Sequence, residues 1–363
     1  MNHLMSHRTR PVALAIGAVM ALSLAGCSKA ENAGGSTAGG SATGGGPAAS
    51  AAASQSSGGD CTIAQTGYPK IDLTKAKVGF SQSEKEGNPF RIAETQSIKD
   101  EAAKLGITNL LTTNAQSDLN KQISDIKSML AQGAQALIVA PLNSDGLQPA
   151  LDAAKAKKVP VVTIDRLVTS KPCTDYLTFI GSNFVQQGQR AADAMDKATG
   201  GKGEVAILLG ASGNNVTTDR TKGFKDELAK YPGLKVVVEQ TGEFDRAKGQ
   251  SVMEQLIQSH PEITAVYAEN DEMGIGAVNA LKAAGKSPGK DVKVVSIDGT
   301  KNAVQLITKG EYNAVIESNP RFGPLAFKAL QDFEAGQPVP NKIVISDDQY
   351  DSSNAAQKVN NAY

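Results

Sequence analysis

The sequence predicts an α/β fold of two doubly wound, Rossmann-like lobes joined by a hinge. Three observations lead there. Buried strand segments alternate with helical segments along most of the chain, which implies parallel sheets with helices on both faces. The alternation runs through twice, the second series beginning after residue 182. The two series also echo each other: QGAQALIVAP (132–141) leads through a helix to VPVVTIDR (159–166), and SHPEITAVYAEN (259–270) leads through a helix to VKVVSIDG (292–299). Both halves end a buried strand with Ile-Asp. Ligands of open α/β sheets collect at the carboxyl ends of strands, so two facing lobes would bring Asp165 and Asp298 to one cleft.

Taken in order, KVGFSQ (77–82) reads as a strand and 89–105 as a helix closed by Gly106. Strands are then expected at 107–112, 136–140, 159–165 and 176–182, with helices at 119–131 and 146–157. The second series gives helices at 184–198, 218–230 and 246–259, with strands at 204–210 and 235–240. The sharpest unit is 263–285. ITAVYA alternates apolar and β-branched residues, then Glu269, Asn270 and Asp271 come together as a polar loop. Met273, Ile275, Ala277, Val278 and Leu281 follow at helical spacing, and Gly285 closes the helix. Strands at 292–298, 313–318 and 342–346 and helices at 301–309 and 326–334 complete the series.

The chain starts with Arg8 and Arg10, then an apolar run over 11–24 too short for a comfortable membrane span. Residues 1–26 therefore read as a signal segment. Leu24-Ala25-Gly26-Cys27 resembles the lipobox of bacterial lipoproteins, which makes Cys27 the expected lipidated residue and membrane anchor. Residues 27–60 hold mostly Gly, Ala and Ser and read as a flexible tether, because they cannot bury enough surface to offset ordering entropy. The expected lobes are 61–181 with 319–346, and 182–318 with 347–363. Cys61 and Cys173 remain. Outside the cytoplasm such a pair can oxidise, so a disulfide is expected, with two free buried thiols as the alternative.

Composition excludes several chemistries. With 37 basic and 37 acidic residues the net charge is zero, and no nucleic-acid partner is expected. His3 and His7 lie in the signal segment, which leaves His260 alone, so histidine triads and His-rich metal sites are unavailable. No GxxxxGK[ST] phosphate loop occurs. Gly274-Ile275-Gly276 follows a strand, but Asn279 stands where a dinucleotide fingerprint needs its third glycine. No cofactor is expected. Carboxylates abound, so residue count alone leaves a glycosidase open.

What is present suits a sugar: aspartates, asparagines and arginines for hydroxyls, aromatics for the flat face of a ring. Asn88-Pro89-Phe90-Arg91 opens a helix as an Asn cap with proline at the first position. Arg91 then lies in the first turn, where the macrodipole disfavours a cation, and Arg220 is expected to repeat the anomaly. Both would therefore serve something outside their helices, or simply the neighbouring acids Glu86 and Asp219. Asp165-Arg166 and Asp298-Gly299 end strands, as turn formers or as ligands. Phe244 reads as core or contact, and Asn270 as cap or contact.

NPFR, TIDR, TTDRTKGF, GEFDRAKGQSVMEQL, AENDEMGIGAVNALKAAG and SIDGT occur in this order. Together they resemble segments of the type I periplasmic binding proteins of the ribose- and galactose-binding class, over about residues 75 to 350. FSQ, IVAP, TIDR, GEFDRAKG and PGKDV are most similar to the galactofuranose-binding branch. The resemblance implies a receptor for an ABC sugar importer, with a permease and an ATPase as partners and a monomeric state. It implies that Phe90 stacks on a monosaccharide, that Phe244 contacts or borders it, and that Arg91, Asp165, Arg166, Arg220, Asn270 and Asp298 bind its hydroxyls. Ser318 stands where ribose-binding members carry glutamine, which departs from simple ribose specificity. Glu86 and Asn88, in a loop of different length, are further candidate contacts. A secreted carbohydrate-active enzyme and a sugar- or autoinducer-sensing receptor are the alternatives.

Overall fold

A computed structural model describes residues 53–56 and 59–363. The expected signal segment, Cys27 and most of the expected tether lie outside the described residues. The chain opens with β1 (Ala53–Ser56), β2 (Asp60–Cys61) and α1 (Ile63–Thr66). A first series follows: β3 (Val78–Gln82), α2 (Pro89–Lys104), β4 (Leu110–Asn114), α3 (Leu119–Ala131), β5 (Ala136–Val139), α4 (Gln148–Ala156), β6 (Val161–Ile164) and β7 (Thr178–Gly181). The second is α5 (Phe184–Thr199), β8 (Gly203–Leu209), α6 (Asn215–Leu228), β9 (Leu234–Thr241), α7 (Arg246–Ser259), β10 (Ala265–Ala268), α8 (Asp271–Ala283), β11 (Lys293–Asp298), α9 (Lys301–Thr308) and β12 (Ala314–Glu317). The chain then returns through α10 (Gly323–Glu334), β13 (Val339–Pro340), β14 (Lys342–Ile345), β15 (Gln349–Asp351) and α11 (Ala355–Lys358).

These strands build two α/β lobes. One sheet runs β1-β14-β7-β6-β5-β3-β4 and the other β15-β12-β11-β10-β8-β9. Each is parallel except for an antiparallel edge strand, β1 on β14 and β15 on β12. Strands β3, β5, β6 and β7 are buried along their whole length, as apolar strands covered on both faces must be. Alternation divides their side chains. Ala136 and Ile138 face the cluster holding α2 and α10, while Leu137 and Val139 face the one holding α3 and α4. The second sheet is covered likewise, with Val266 and Val294 toward α7 and α8, and Tyr267 and Val295 toward α5 and α6. Cys61 and Cys173 are joined by a disulfide that ties β2 to the loop after β6.

Sheet membership changes between β7 and α5, between β12 and α10, and between β14 and β15. The chain therefore crosses between lobes three times, at about residues 182, 319 and 347. Three local differences from the sequence reading stand out, and the first two have clear causes. The strand expected at 107–112 starts at Leu110, because Gly106 turns left-handed (φ 73°) and the Ile107 amide bonds back to Ala102. Helix α6 starts at Asn215 rather than at 218, because the Asn214 side chain accepts from the amides of Val216 and Thr217. Arg220 is thus the sixth helical residue, beyond the first turn, so the dipole argument made for it does not hold. Ala53–Ser56, expected within the tether, forms the edge strand β1.

Helices α5 and α6 meet backbone to backbone. A Cβ on Gly188 would sit 2.2 Å from the Arg220 carbonyl oxygen, and one on Gly223 would sit 2.0 Å from that of Val185. This approach sets the position of Arg220 against α5. Gly223→Ala is expected to push the helices apart and to destabilise the protein by about 1–3 kcal/mol, read from the urea midpoint at unchanged slope.

Candidate functional site

Between the lobes lies a cavity whose empty space, counted together with the solvent open to it, is about 330 Å3; it is lined by Glu84, Asn88, Phe90, Arg91, Asp165, Arg166, Val216, Arg220, Phe244, Asn270 and Asp298. Nine of these are residues singled out in the sequence. Glu84 and Val216 were not. Of the other candidates, Glu86 is exposed and outside the lining. Ser318 is buried in the second crossing, where its amide donates to the Asp298 carbonyl at 2.8 Å, and its side chain is not in the lining.

Two strand ends supply the central carboxyl groups. Asp165 follows β6 and Asp298 ends β11, and both hold positive φ, 65° and 147°. Non-glycine residues rarely adopt such backbone, and it costs on the order of 1–3 kcal/mol. Behind Asp298 the wholly buried Asp271 accepts from the amides of Gly299 (3.0 Å) and Thr300 (2.7 Å) and from the Thr300 hydroxyl (2.8 Å). Asp271 therefore shapes the turn that presents Asp298 rather than lining the cavity itself.

The arginines are fixed by these and other acceptors. Arg91 Nε donates to Glu84 at 3.0 Å, and its Nη1 donates to Glu94 at 2.8 Å and Asp165 at 2.7 Å. Arg166 donates to the Leu142 carbonyl and to Glu84, each at 2.7 Å. Arg220 donates from Nε to Gln187 at 3.0 Å and from Nη1 to the Glu269 carbonyl at 2.6 Å. Among the described residues, Arg91 Nη2, Arg166 Nε and Arg220 Nη2 have no hydrogen-bond partner. The last lies 3.6 Å from Asp298 Oδ1. Each guanidinium is therefore anchored by other groups and keeps one nitrogen in reserve.

Two aromatic rings frame this polar set. Phe90 packs edge-on against Phe322 and Tyr363, with centroids 6.3 and 6.1 Å away. Phe244 sits on Gly210, where a Cβ would come 2.0 Å from the ring. Asn270 serves as both cap and lining residue: its Oδ1 accepts from the Met273 amide at 3.0 Å, and its Nδ2 donates to the Phe244 carbonyl at 3.1 Å. The lobes are shut over the cavity. Asn215 donates its amide to Ser144 Oγ at 3.0 Å and accepts from the Leu167 amide at 2.9 Å, while the Ser144 amide donates to the Gly213 carbonyl at 3.0 Å. Val216, from the second lobe, is buried in an apolar cluster of the first.

Electrostatics divide the acids. Burial alone would raise Glu84, but Arg166 and Arg91 outweigh it and bring its carboxyl down to about 2. Burial pushes Asp298 well above the usual range, against the pull of Arg220. It pushes Glu94, one of whose oxygens has no partner, up to about 7, and Glu269 likewise. Among the described residues no group of His, Cys, Asp and Glu could hold a metal ion.

Two α/β lobes, crossed three times by the chain and closed over a small polar cavity, define a solute-binding protein that clasps its ligand between domains. Residues 78–338 match the periplasmic binding protein domain family, and the chain belongs to that family. It is 37% identical over 273 residues to the galactofuranose-binding protein YtfQ of Escherichia coli, covering 74% of this chain and 85% of that one. It is 37% identical over 257 residues to the ribose import binding protein RbsB of Bacillus subtilis, covering 70% and 81%. The periplasmic binding protein component of the arabinose ABC transporter from Shewanella sp. ANA-3, solved with α- and β-L-arabinofuranose, superposes with a TM-score of 0.75 at 36% identity, covering 78% of this chain and 94% of that one. Membership carries an extracytoplasmic location with it. None of the described helices is long and apolar enough to cross a membrane.

The raised acids set a pH signature. Glu94 and Glu269 have folded-state values of about 7 against an ordinary 4.5, so their contribution to stability is present below 4.5 and lost as pH rises through 7. Glu84 works the other way, its contribution being lost only as pH falls from 4.5 toward 2. The ligand-free melting temperature is expected to fall between about pH 5 and pH 7.5, and Glu94→Gln is expected to flatten that slope in a calorimetric pH series.

Proposed function

We propose that this chain captures a neutral monosaccharide in furanose form between its lobes and hands it, unchanged, to an ABC importer, standing on the membrane through a lipid on Cys27. The observation that carries the ligand class is the mixture of guanidinium and carboxyl groups in the cavity. Arg91, Arg166 and Arg220 face Glu84, Asp165 and Asp298. An anionic or cationic solute would meet an opposing group at every turn. A polyhydroxylated ring that both donates and accepts suits such a lining, and charged partners strengthen each bond. Phe90 and Phe244 supply apolar faces for its C–H edges. The furanose and ABC-importer readings draw on the similar galactofuranose-, ribose- and arabinofuranose-binding proteins. The lipid anchor rests on Leu24-Ala25-Gly26-Cys27, and the absence of turnover on the transport roles of those relatives.

In this reading the ligand works by hinge closure. It contacts groups on both lobes only when they are shut, so binding selects the closed state. Asn215, Ser144 and Leu167 then act as a clasp between the lobes. Asp165, Arg91, Arg166 and Glu84 receive the ring from one lobe, with Asn270, Arg220 and Asp298 from the other.

Isothermal titration of the protein with L-arabinose, D-galactose, D-ribose and myo-inositol tests the reading. One furanose-forming sugar is expected to bind with a Kd near a micromolar, about −8 kcal/mol. Asp165→Ala and Asn270→Ala are each expected to weaken it about 30-fold or more, since each leaves a buried partner unsatisfied. Recovery of the sugar unchanged after incubation is also expected. Binding only of charged solutes, or a chemically altered sugar, would overturn the proposal. Asn215→Ala is expected to raise the dissociation rate with little change in association.

A further inference from the structure

Asp347 lies on the third crossing between the lobes, in the link from β14 to β15, and is not part of the cavity lining. Its carboxylate nevertheless touches the other two. Oδ1 accepts from Ser182 Oγ on the first crossing at 3.1 Å and from the Asn319 amide on the second at 3.2 Å. Arg190 of α5 braces the same segment, donating to the carbonyls of Asp347 (3.0 Å) and Asp348 (2.8 Å). One carboxylate thus ties together all three hinge segments.

Its second oxygen leads to the cavity. Oδ2 accepts from Gln187 Nε2 at 2.8 Å, and the same amide nitrogen donates to the Glu317 carbonyl at 3.2 Å. Gln187 Oε1 accepts from Arg220 Nε at 3.0 Å. Gln187 is 1% exposed, so water cannot substitute for these partners. The amide has one donor end and one acceptor end. Flipped, it would aim N–H groups at the Arg220 donor and its oxygen at two acceptors. The acceptors on the hinge side therefore dictate that an acceptor faces Arg220. With Nε and Nη1 engaged, Arg220 is left with Nη2 beside Asp298 for the ligand.

We propose that Asp347 is a positioning residue for the ligand site: through Gln187 it orients Arg220, and through Ser182 and Asn319 it couples that arginine to all three hinge crossings. The coupling deepens the sugar-receptor reading given above and rests on it for its ligand. Movement at the hinge and the pose of a cavity arginine are then two ends of one hydrogen-bonded chain.

The test is a swap along the relay in the full chain. Asp347→Asn places an N–H against the Gln187 donor, or else against Ser182 and Asn319. Gln187→Glu keeps an acceptor for Arg220 but sets two carboxylates against each other. Each variant is expected to raise the Kd for L-arabinose or D-galactose about tenfold, the loss of roughly one hydrogen bond to a charged group. The double variant restores a donor–acceptor pair between positions 187 and 347, so it is expected to bind more tightly than either single variant. Additive losses in the double variant, or lowered melting temperatures with unchanged Kd, would show a merely structural role and overturn the proposal. Small-angle scattering without sugar provides an independent arm, in which each single variant is expected to show a larger radius of gyration than the parent and the double to recover it. If the parent binds neither sugar, the receptor reading fails on its own, and scattering curves identical across all four proteins would sink the relay.

Discussion

Arg91 is 4% exposed, and a guanidinium in that position stays charged only if acceptors replace the water it has lost. Glu84, Glu94 and Asp165 do so, each within 3.0 Å. Glu84 then spans to Arg166, which in turn lies against Asp165. Much of the site follows from that requirement. The carboxyls must be held where the guanidiniums need them, which accounts for the positive φ at Asp165. Because the charges are paired before any ligand arrives, binding need not reorganise them. A buried ion set of this kind adds little to stability by itself. Its value here lies in geometry.

The second lobe meets the same requirement by a different route. Arg220 has no carboxylate within hydrogen-bond range and leans on a carbonyl, an amide side chain and the ring of Phe184, whose centroid lies 5.6 Å from its guanidinium carbon. The first lobe therefore holds its arginines by charge and the second mainly by dipoles. An arginine held by dipoles depends on the exact orientation of those dipoles, which places more weight on the packing of α5 against α6 than on any counter-charge.

The legible parts of the sequence were those governed by periodicity and repetition. Buried parallel strands such as β5 and helices such as α3 and α7 carry their pattern in consecutive residues, and their limits lie close to the expected ones. Asp165 and Asp298 stood out because Ile-Asp ends a strand in both halves. Where two signals competed, the sequence could not decide. The loop at 83–88 offers Glu84 and Glu86, and only the three-dimensional reach toward Arg166 picks out Glu84. Asn270 offered a cap signature and a contact role together, and it serves as both. Gly274 and Gly276, rejected as a nucleotide fingerprint, have a packing reason instead: a Cβ would strike the Tyr312 hydroxyl at the first and the Arg246 carbonyl at the second. Asn215, Ser144 and Asp347 gave no signal, since inter-lobe contacts arise between residues far apart in the chain.

Strand β1 adds one more consequence. It pairs antiparallel with β14 through Ala53, Gln55 and Ser56, and so covers what would otherwise be the bare edge of the seven-stranded sheet. Open sheet edges are templates for other chains. A recombinant fragment cut at residue 60 would keep the cavity lining intact yet leave the β14 edge unpaired, inviting self-association that has nothing to do with the ligand site. The short stretch before Cys61 therefore has a protective task of its own: it keeps a receptor that is built to close on a small solute from closing on its neighbours.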